Sequence, residues 1–255
     1  MGSAGKGAKL VTLRAPAASL AEMAAPLSSP ALRGDPGDRA VDSPWRRRAR
    51  WLALPAGFVV SSIPFTNVAA RLVRGVDLRH VGTGTVSGTA LYQVAGFGPL
   101  AVAGIFDVAK GAVGPLLAGP ADPLLRAAAA GVSIVGHNWS PLLRGAGGRG
   151  LSPAIGALGV AAPAGAAVIL AGMAGGRVAG QTALGSLAAT VGAVPVVLKV
   201  HGRQAAWSAA AVAAPMIAKR LAGNHRPQDS SAAVYLWRFL LDRDSATVTR
   251  SAAAA

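Results

Sequence analysis

The sequence predicts an all-α protein: a polytopic membrane bundle of five to seven transmembrane or half-spanning helices. Three observations carry that prediction. Hydrophobic residues make up 52% of the 255 residues and charged residues only 14%, where a soluble domain carries about 25% charged residues. The apolar residues gather in long runs without the strict alternation of a β-barrel strand. Acids are nearly absent from those runs: between positions 51 and 227 only Asp77, Asp107 and Asp122 face thirteen Lys and Arg residues. Together these features exclude a disordered chain, a coiled coil and an ordinary soluble enzyme. In lipid the backbone has no water to satisfy it, so each spanning run must be helical.

Taken in order, residues 1–50 are rich in Ala, Pro and Arg, are punctuated by Pro26, Pro30 and Pro36, and show no sustained period. They predict a disordered N-terminal arm. No apolar stretch follows Lys6 and Lys9 as it would in a signal peptide. The arm closes on Trp45-Arg46-Arg47-Arg48-Ala49-Arg50-Trp51, a composition suited to the membrane–water interface. Because a membrane run begins there, the net charge of +15 points to membrane lipids or a phosphorylated substrate, and not to nucleic acid.

The membrane domain is expected over 51–222. Its apolar runs fall near 51–70, 90–106, 111–119, 124–139, 151–173, 178–198 and 204–218. About twenty residues make a full span, which predicts five full spans, with 111–119 and 124–139 broken or tilted. Abundant Ala and Gly allow the helices to approach closely. Residues 223–255 form a polar tail in which Val234-Tyr235-Leu236-Trp237-Arg238-Phe239-Leu240-Leu241 is too short to span and reads as an interfacial helix. The chain has no Cys, which removes thiolate catalysis and Cys-ligated metals. Its few acids build no convincing metal site.

Two glycine-rich stretches carry the chemistry. The first runs from Asp77 through Arg79, Gly82, Thr83, Gly84, Thr85, Ser87 and Gly88 to Thr89. Glycines alternating with small hydroxyls expose backbone N–H groups and side-chain donors to an anion. It lacks the preceding strand of a dinucleotide site, and neither stretch has the Gly-Lys-Ser/Thr of a P-loop. The second starts at Gly136-His137-Asn138 and passes through Gly147-Gly148-Arg149-Gly150. Ser152 followed by Pro153 reads as a helix start, which sets Arg149 beside a helix N-terminus where an anion is favoured. Between the two stretches, Asp107 and Lys110 share a helix face, either as a mutually neutralising pair or as a lysine aimed at phosphate and held by Asp107.

These residues resemble a known family. Ser62-Ile63-Pro64-Phe65, Asp77-Leu78-Arg79, Gly82-Thr83-Gly84, Asp107-Val108-Ala109-Lys110-Gly111, Gly136-His137, Gly147-Gly148-Arg149-Gly150 and Lys219-Arg220-Leu221-Ala222-Gly223 stand in the order seen in the acyl-phosphate-dependent glycerol-3-phosphate acyltransferases, the PlsY family. The resemblance covers about 57–224 and implies a helical bundle in the bacterial inner membrane. It implies transfer of a fatty acyl group from acyl phosphate to the 1-hydroxyl of sn-glycerol 3-phosphate, giving lysophosphatidate for phospholipid synthesis. No cofactor and no metal are implied. The resemblance puts the motif loops at the cytoplasmic face, whereas the Arg46–Arg50 cluster favours a cytoplasmic N-terminal side.

The chain also departs from the family pattern. Thr83 stands for a Ser and Thr85 for an Asn; Ala90 replaces a second Asn and Gln93 an Arg. Arg149 replaces a Lys, while Ala214, Ile217 and His225 replace a His, an Asn and a Glu. Acyl phosphate is already activated, so the reaction needs proximity, a clamp on phosphate and a base for the hydroxyl. The candidate catalytic residues are His137, Lys110 and Arg149. Candidate phosphate ligands are Arg79, the 82–89 loop, Lys110, Gly147, Gly148 and Arg149, supported by Asp77, Asp107 and Asn138. The lost polar residues keep two alternatives in view: a non-catalytic lipid-binding paralogue and a small organic-phosphate transporter.

Overall fold

A computed structural model describes residues 49–225, 227 and 231–243. The arm expected over 1–50, apart from Ala49 and Arg50, and the end of the tail beyond residue 243 lie outside the described residues. Among the described residues there are ten α-helices and no strand: α1 (Ala53–Ser61), α2 (Phe65–Arg74), α3 (Gly88–Ala95), α4 (Phe97–Ala118), α5 (Pro123–Asn138), α6 (Leu151–Ala161), α7 (Pro163–Val178), α8 (Thr182–His201), α9 (Arg203–Ala222) and α10 (Ala232–Leu241).

Helix boundaries differ from the apolar runs for identifiable reasons. The first run is split at Ser62-Ile63-Pro64, because Pro64 has no N–H to continue the ladder. The freed carbonyls find side-chain donors: Ser140 Oγ donates to Ser62 O at 2.6 Å and Lys110 Nζ to Ile63 O at 2.6 Å. Conversely, the runs either side of Asp107 join into α4. The Asp107–Lys110 ion pair, 2.7 Å long, neutralises the polar break within the helix. The run 151–173 divides at Ala162-Pro163 into α6 and α7. Ser152 is not the cap of α6: Gly150, at φ +82°, precedes the first helical residue Leu151, and Pro153 sits in the first turn.

Instead of five full spans, three stretches among the described residues are long and apolar enough to cross a membrane: Ala53–Arg74 including its break, Phe97–Ala118 and Thr182–His201. Twenty-two helical residues reach about 33 Å, enough for the hydrocarbon core. The helices α6, α7 and α10 are apolar but shorter. The fold is that of a helical integral membrane bundle.

The bundle is held by near-contact of backbones. Helix α5 packs against α1, α4, α6 and α9. A Cβ added to Gly156 of α6 would lie 1.9 Å from the Val108 carbonyl oxygen of α4, and one added to Gly111 would lie 2.1 Å from that of Pro153. Such approach permits dispersion contact between whole helix surfaces, the main attraction where lipid removes the hydrophobic drive. The tail helix α10 packs on α8 and α9. The loops after α2 and α5 and the chain leaving α9 meet at one end of the bundle, and that end carries the polar residues.

Candidate active site

The first glycine loop is anchored by Asp77. Its carboxylate accepts the Arg79 backbone N–H at 3.0 Å, pairs with the Arg79 guanidinium at 2.6 Å and also receives Arg71. Hydrogen bonding to Arg79 holds the Asp77 carboxyl well below its ordinary range, against the opposing effect of burial. Leu78 N–H donates to Asn67 Oδ1 at 2.8 Å, tying the loop to α2. Gly82 and Gly84 take positive φ, +56° and +68°, and the Thr83 hydroxyl donates to Thr85 Oγ1 at 3.0 Å. Ser87 Oγ accepts from Ala90 N–H and caps α3. Gly88 and Thr89 are therefore the first turn of α3 and not loop residues, as the sequence had suggested.

The second loop folds back beneath His137. A Cβ on Gly147 would lie 2.3 Å from the His137 carbonyl oxygen, and one on Gly148 would lie 2.3 Å from His137 Nε2. Only glycine lets this strand of chain pass under the ring. The half-buried His137 imidazole has no hydrogen-bond partner among the described residues. Asn138 is fully buried and donates to the Pro215 carbonyl of α9 at 2.9 Å.

Asn224, one residue beyond the closing glycine of α9, joins the two loops. Its Nδ2 donates to Gly84 O and to Gly147 O, each at 2.9 Å, and its Oδ1 accepts from Gly147 N–H at 3.2 Å. Val86 N–H donates to Gly147 O at 3.2 Å in the same seam. The neighbouring His225 packs over Gly84, where a Cβ would meet its Nε2 at 2.1 Å. A cavity of about 260 Å³ opens here, lined by Arg79, His80, Gly84, Arg144, Ala146, Asn224 and His225. Four of these seven are basic side chains, a lining suited to an anion.

The bases chosen from sequence are each accompanied by an acid. Arg79 pairs with Asp77, Lys110 with Asp107 at 2.7 Å, and Arg149 with Asp242 at 2.7 Å. Lys110 is 3% exposed and also engages Ile63 O and the Phe65 ring. Lys219 differs. It is 1% exposed, donates to Gly145 O at 3.3 Å, lies 5.1 Å from the centre of the Trp139 ring, and has no carboxylate in ion-pairing range among the described residues. Lys110 and Lys219 are both near enough for their charges to act on His137. The structure thus gathers His137, Gly147, Gly148, Thr83, Thr85 and Arg79 around one polar end. It places Lys110 within the bundle behind them and Arg149 beside them, next to the Gly148 that packs on His137, with its guanidinium held between Lys219 O and Asp242. Sequence reasoning quoted Lys219 within a motif without giving it a site role, and passed over Asn224 and Asp242. A lysine in the last turn of a 20-residue helix was a signal for the first; nothing local marked the other two.

This geometry defines a class: a membrane-embedded helical bundle with a glycine-lined, cationic site at one end. The sequence matches the glycerol-3-phosphate acyltransferase family over residues 51–228. The chain belongs to that family. A glycerol-3-phosphate acyltransferase of Synechococcus sp. (strain CC9902) is 31% identical over 169 residues, 65% of this chain and 84% of the relative. Another, from Moorella thermoacetica, is 42% identical over 44% of this chain and 58% of the relative. A third, from Dehalococcoides mccartyi (strain CBDB1), is 37% identical, and the chain spans about half its length, 52%. The fold is similar to the crystal structure of PlsY, an integral membrane glycerol 3-phosphate acyltransferase, in its glycerol 3-phosphate form. The TM-score is 0.61 at 25% identity, covering 67% of this chain and 88% of PlsY.

Proposed function

We propose that this protein transfers a fatty acyl group from acyl phosphate to the 1-hydroxyl of sn-glycerol 3-phosphate in a bacterial inner membrane, forming lysophosphatidate. The observation that carries this reading is the seam itself. Asn224 joins two glycine loops beside the His137 imidazole and buried Lys219; among the described residues that imidazole has no hydrogen-bond partner and Lys219 no carboxylate in ion-pairing range. A substrate phosphate supplies the anion that such a charge lacks.

In the proposed reaction the glycerol hydroxyl oxygen bonds to the acyl carbon and the acyl carbon–oxygen bond to phosphate breaks. The hydroxyl proton passes to His137 Nε2 or to an oxygen of the departing phosphate. Among the described residues no hydrogen bond competes for the His137 imidazole, which favours it as the base, while burial and the charges of Lys110 and Lys219 favour the phosphate oxygen. Lys219 and the backbone N–H groups of the loops stabilise charge that shifts onto the leaving phosphate. Phosphate leaves readily, so no covalent acyl-enzyme is required.

The test is transfer of radiolabelled acyl groups by the purified, lipid-reconstituted protein, given acyl phosphate and glycerol 3-phosphate. Lysophosphatidate formation that depends on His137 supports the reading. No product with either acyl phosphate or another activated acyl donor refutes it, and uptake of glycerol 3-phosphate into vesicles without transfer identifies a transporter.

A further inference from the structure

The stretch matched to the family ends at residue 228, yet the segment beyond it contacts Arg149, Arg220 and the His225 carbonyl. Arg220 Nε donates to Phe239 O at 2.7 Å and Arg220 Nη2 to Leu240 O at 3.3 Å. In return, Arg238 donates to Ala222 O at 2.8 Å and to His225 O at 3.0 Å. Helices α9 and α10 therefore satisfy each other's C-terminal carbonyls. The chain then turns at Asp242, φ +58°, a left-handed conformation that Asp tolerates better than most residues.

That turn sets the Asp242 carboxylate on Arg149. Arg149 Nε donates to Asp242 Oδ2 at 3.1 Å, and Nη2 lies 2.7 Å from Oδ1. On the opposite side Arg149 Nη1 donates to the Lys219 carbonyl at 2.7 Å. All three guanidinium nitrogens are thus engaged, and donors remain on both Nη groups. Arg149 stands between two glycines, so its own segment offers no neighbouring side chain to hold it. Its position depends on α9 from one side and on Asp242 from the other. Among the described residues, Asp242 is the only carboxylate within ion-pairing range of Arg149, Lys219 or Arg220. Without it, the bond to the Lys219 carbonyl alone would hold the guanidinium.

We propose that Asp242 is a positioning residue for phosphate binding: it fixes Arg149 so that the remaining guanidinium donors face the substrate phosphate. This rests on the acyl-transfer reading for the identity of the substrate. It makes a segment outside the family-matched core part of the working site.

The experiment is a double-mutant cycle in the full-length, lipid-reconstituted chain, comparing wild type, D242N, R149A and R149A/D242N. D242N keeps the side-chain shape and guards against loss of the fold; D242E tests rescue. Two quantities are read: KM for glycerol 3-phosphate in acyl transfer, and its Kd by calorimetry. D242N is expected to raise both about tenfold, the scale of one charge-assisted contact. D242E should recover most of the loss, and D242N should add nothing in the R149A background. Equal losses in both backgrounds, wild-type behaviour of D242N, or tighter binding by D242N would each overturn the proposal. If the wild type binds glycerol 3-phosphate with the coupled pattern but transfers no acyl group, the acyl-transfer reading fails and the positioning role stands. If it binds no glycerol 3-phosphate, both fail.

Discussion

Lys219 and Lys110 are both buried lysines on apolar helices, but they differ in what their removal leaves behind. Lys110 is paired with Asp107, whose side chain is 3% exposed. Replacing Lys110 by Met strands that carboxylate, a loss of about 3–5 kcal/mol for a broken buried pair. The expected result is a large drop in the thermal unfolding temperature in detergent, restored when Asp107→Leu is added. Activity in that restored double variant then reports directly whether Lys110 binds phosphate. Among the described residues, Lys219→Met leaves no carboxylate unpaired. It is expected to lower turnover by about ten- to a thousandfold, with the unfolding temperature nearly unchanged. A large unfolding shift with modest loss of turnover would make Lys219 a structural residue.

At the scale of elements, backbone proximity decides which glycines matter. Gly156→Ala must separate α6 from α4, since its Cβ would lie 1.9 Å from a carbonyl oxygen. It is expected to reduce folded yield sharply, whereas Gly104→Ala on the same α4 meets nothing within 4 Å and should be neutral or slightly stabilising. Size-exclusion profiles of the two variants check this. Asn224→Ala removes three hydrogen bonds that close the two loops. It should raise KM for glycerol 3-phosphate more than it lowers kcat, because the backbone donors lose their alignment before substrate binds. Steady-state kinetics against glycerol 3-phosphate separates the two effects. The extent of α4 belongs to this scale as well. Asp107 and Lys110 look in sequence like a break between two apolar runs, and only their mutual neutralisation inside the bundle makes one helix of them.

At the scale of the whole molecule, three apolar stretches long enough to span predict that the protein stays in the membrane pellet under alkaline carbonate and leaves it only with detergent. Release by carbonate alone would contradict the bundle. The helical, membrane-embedded class was legible from the sequence because it depends on composition summed along the chain: apolar runs of sufficient length, almost no acids, and no alternation. The motif residues were legible for a similar local reason. Glycines in clusters, a histidine ending an apolar run and Asp107 three positions before Lys110 have short-range geometry that spacing alone conveys. Pairing across the fold was not legible. Arg149 meets Asp242 ninety-three positions away, and Asn224 reaches Gly84 across one hundred and forty. No local period encodes such contacts. The sequence determined which side chains are present and what each can do chemically. Which bases are paired with an acid and which are not was decided by tertiary structure, because an ion pair depends on distance in space and on the water that burial excludes.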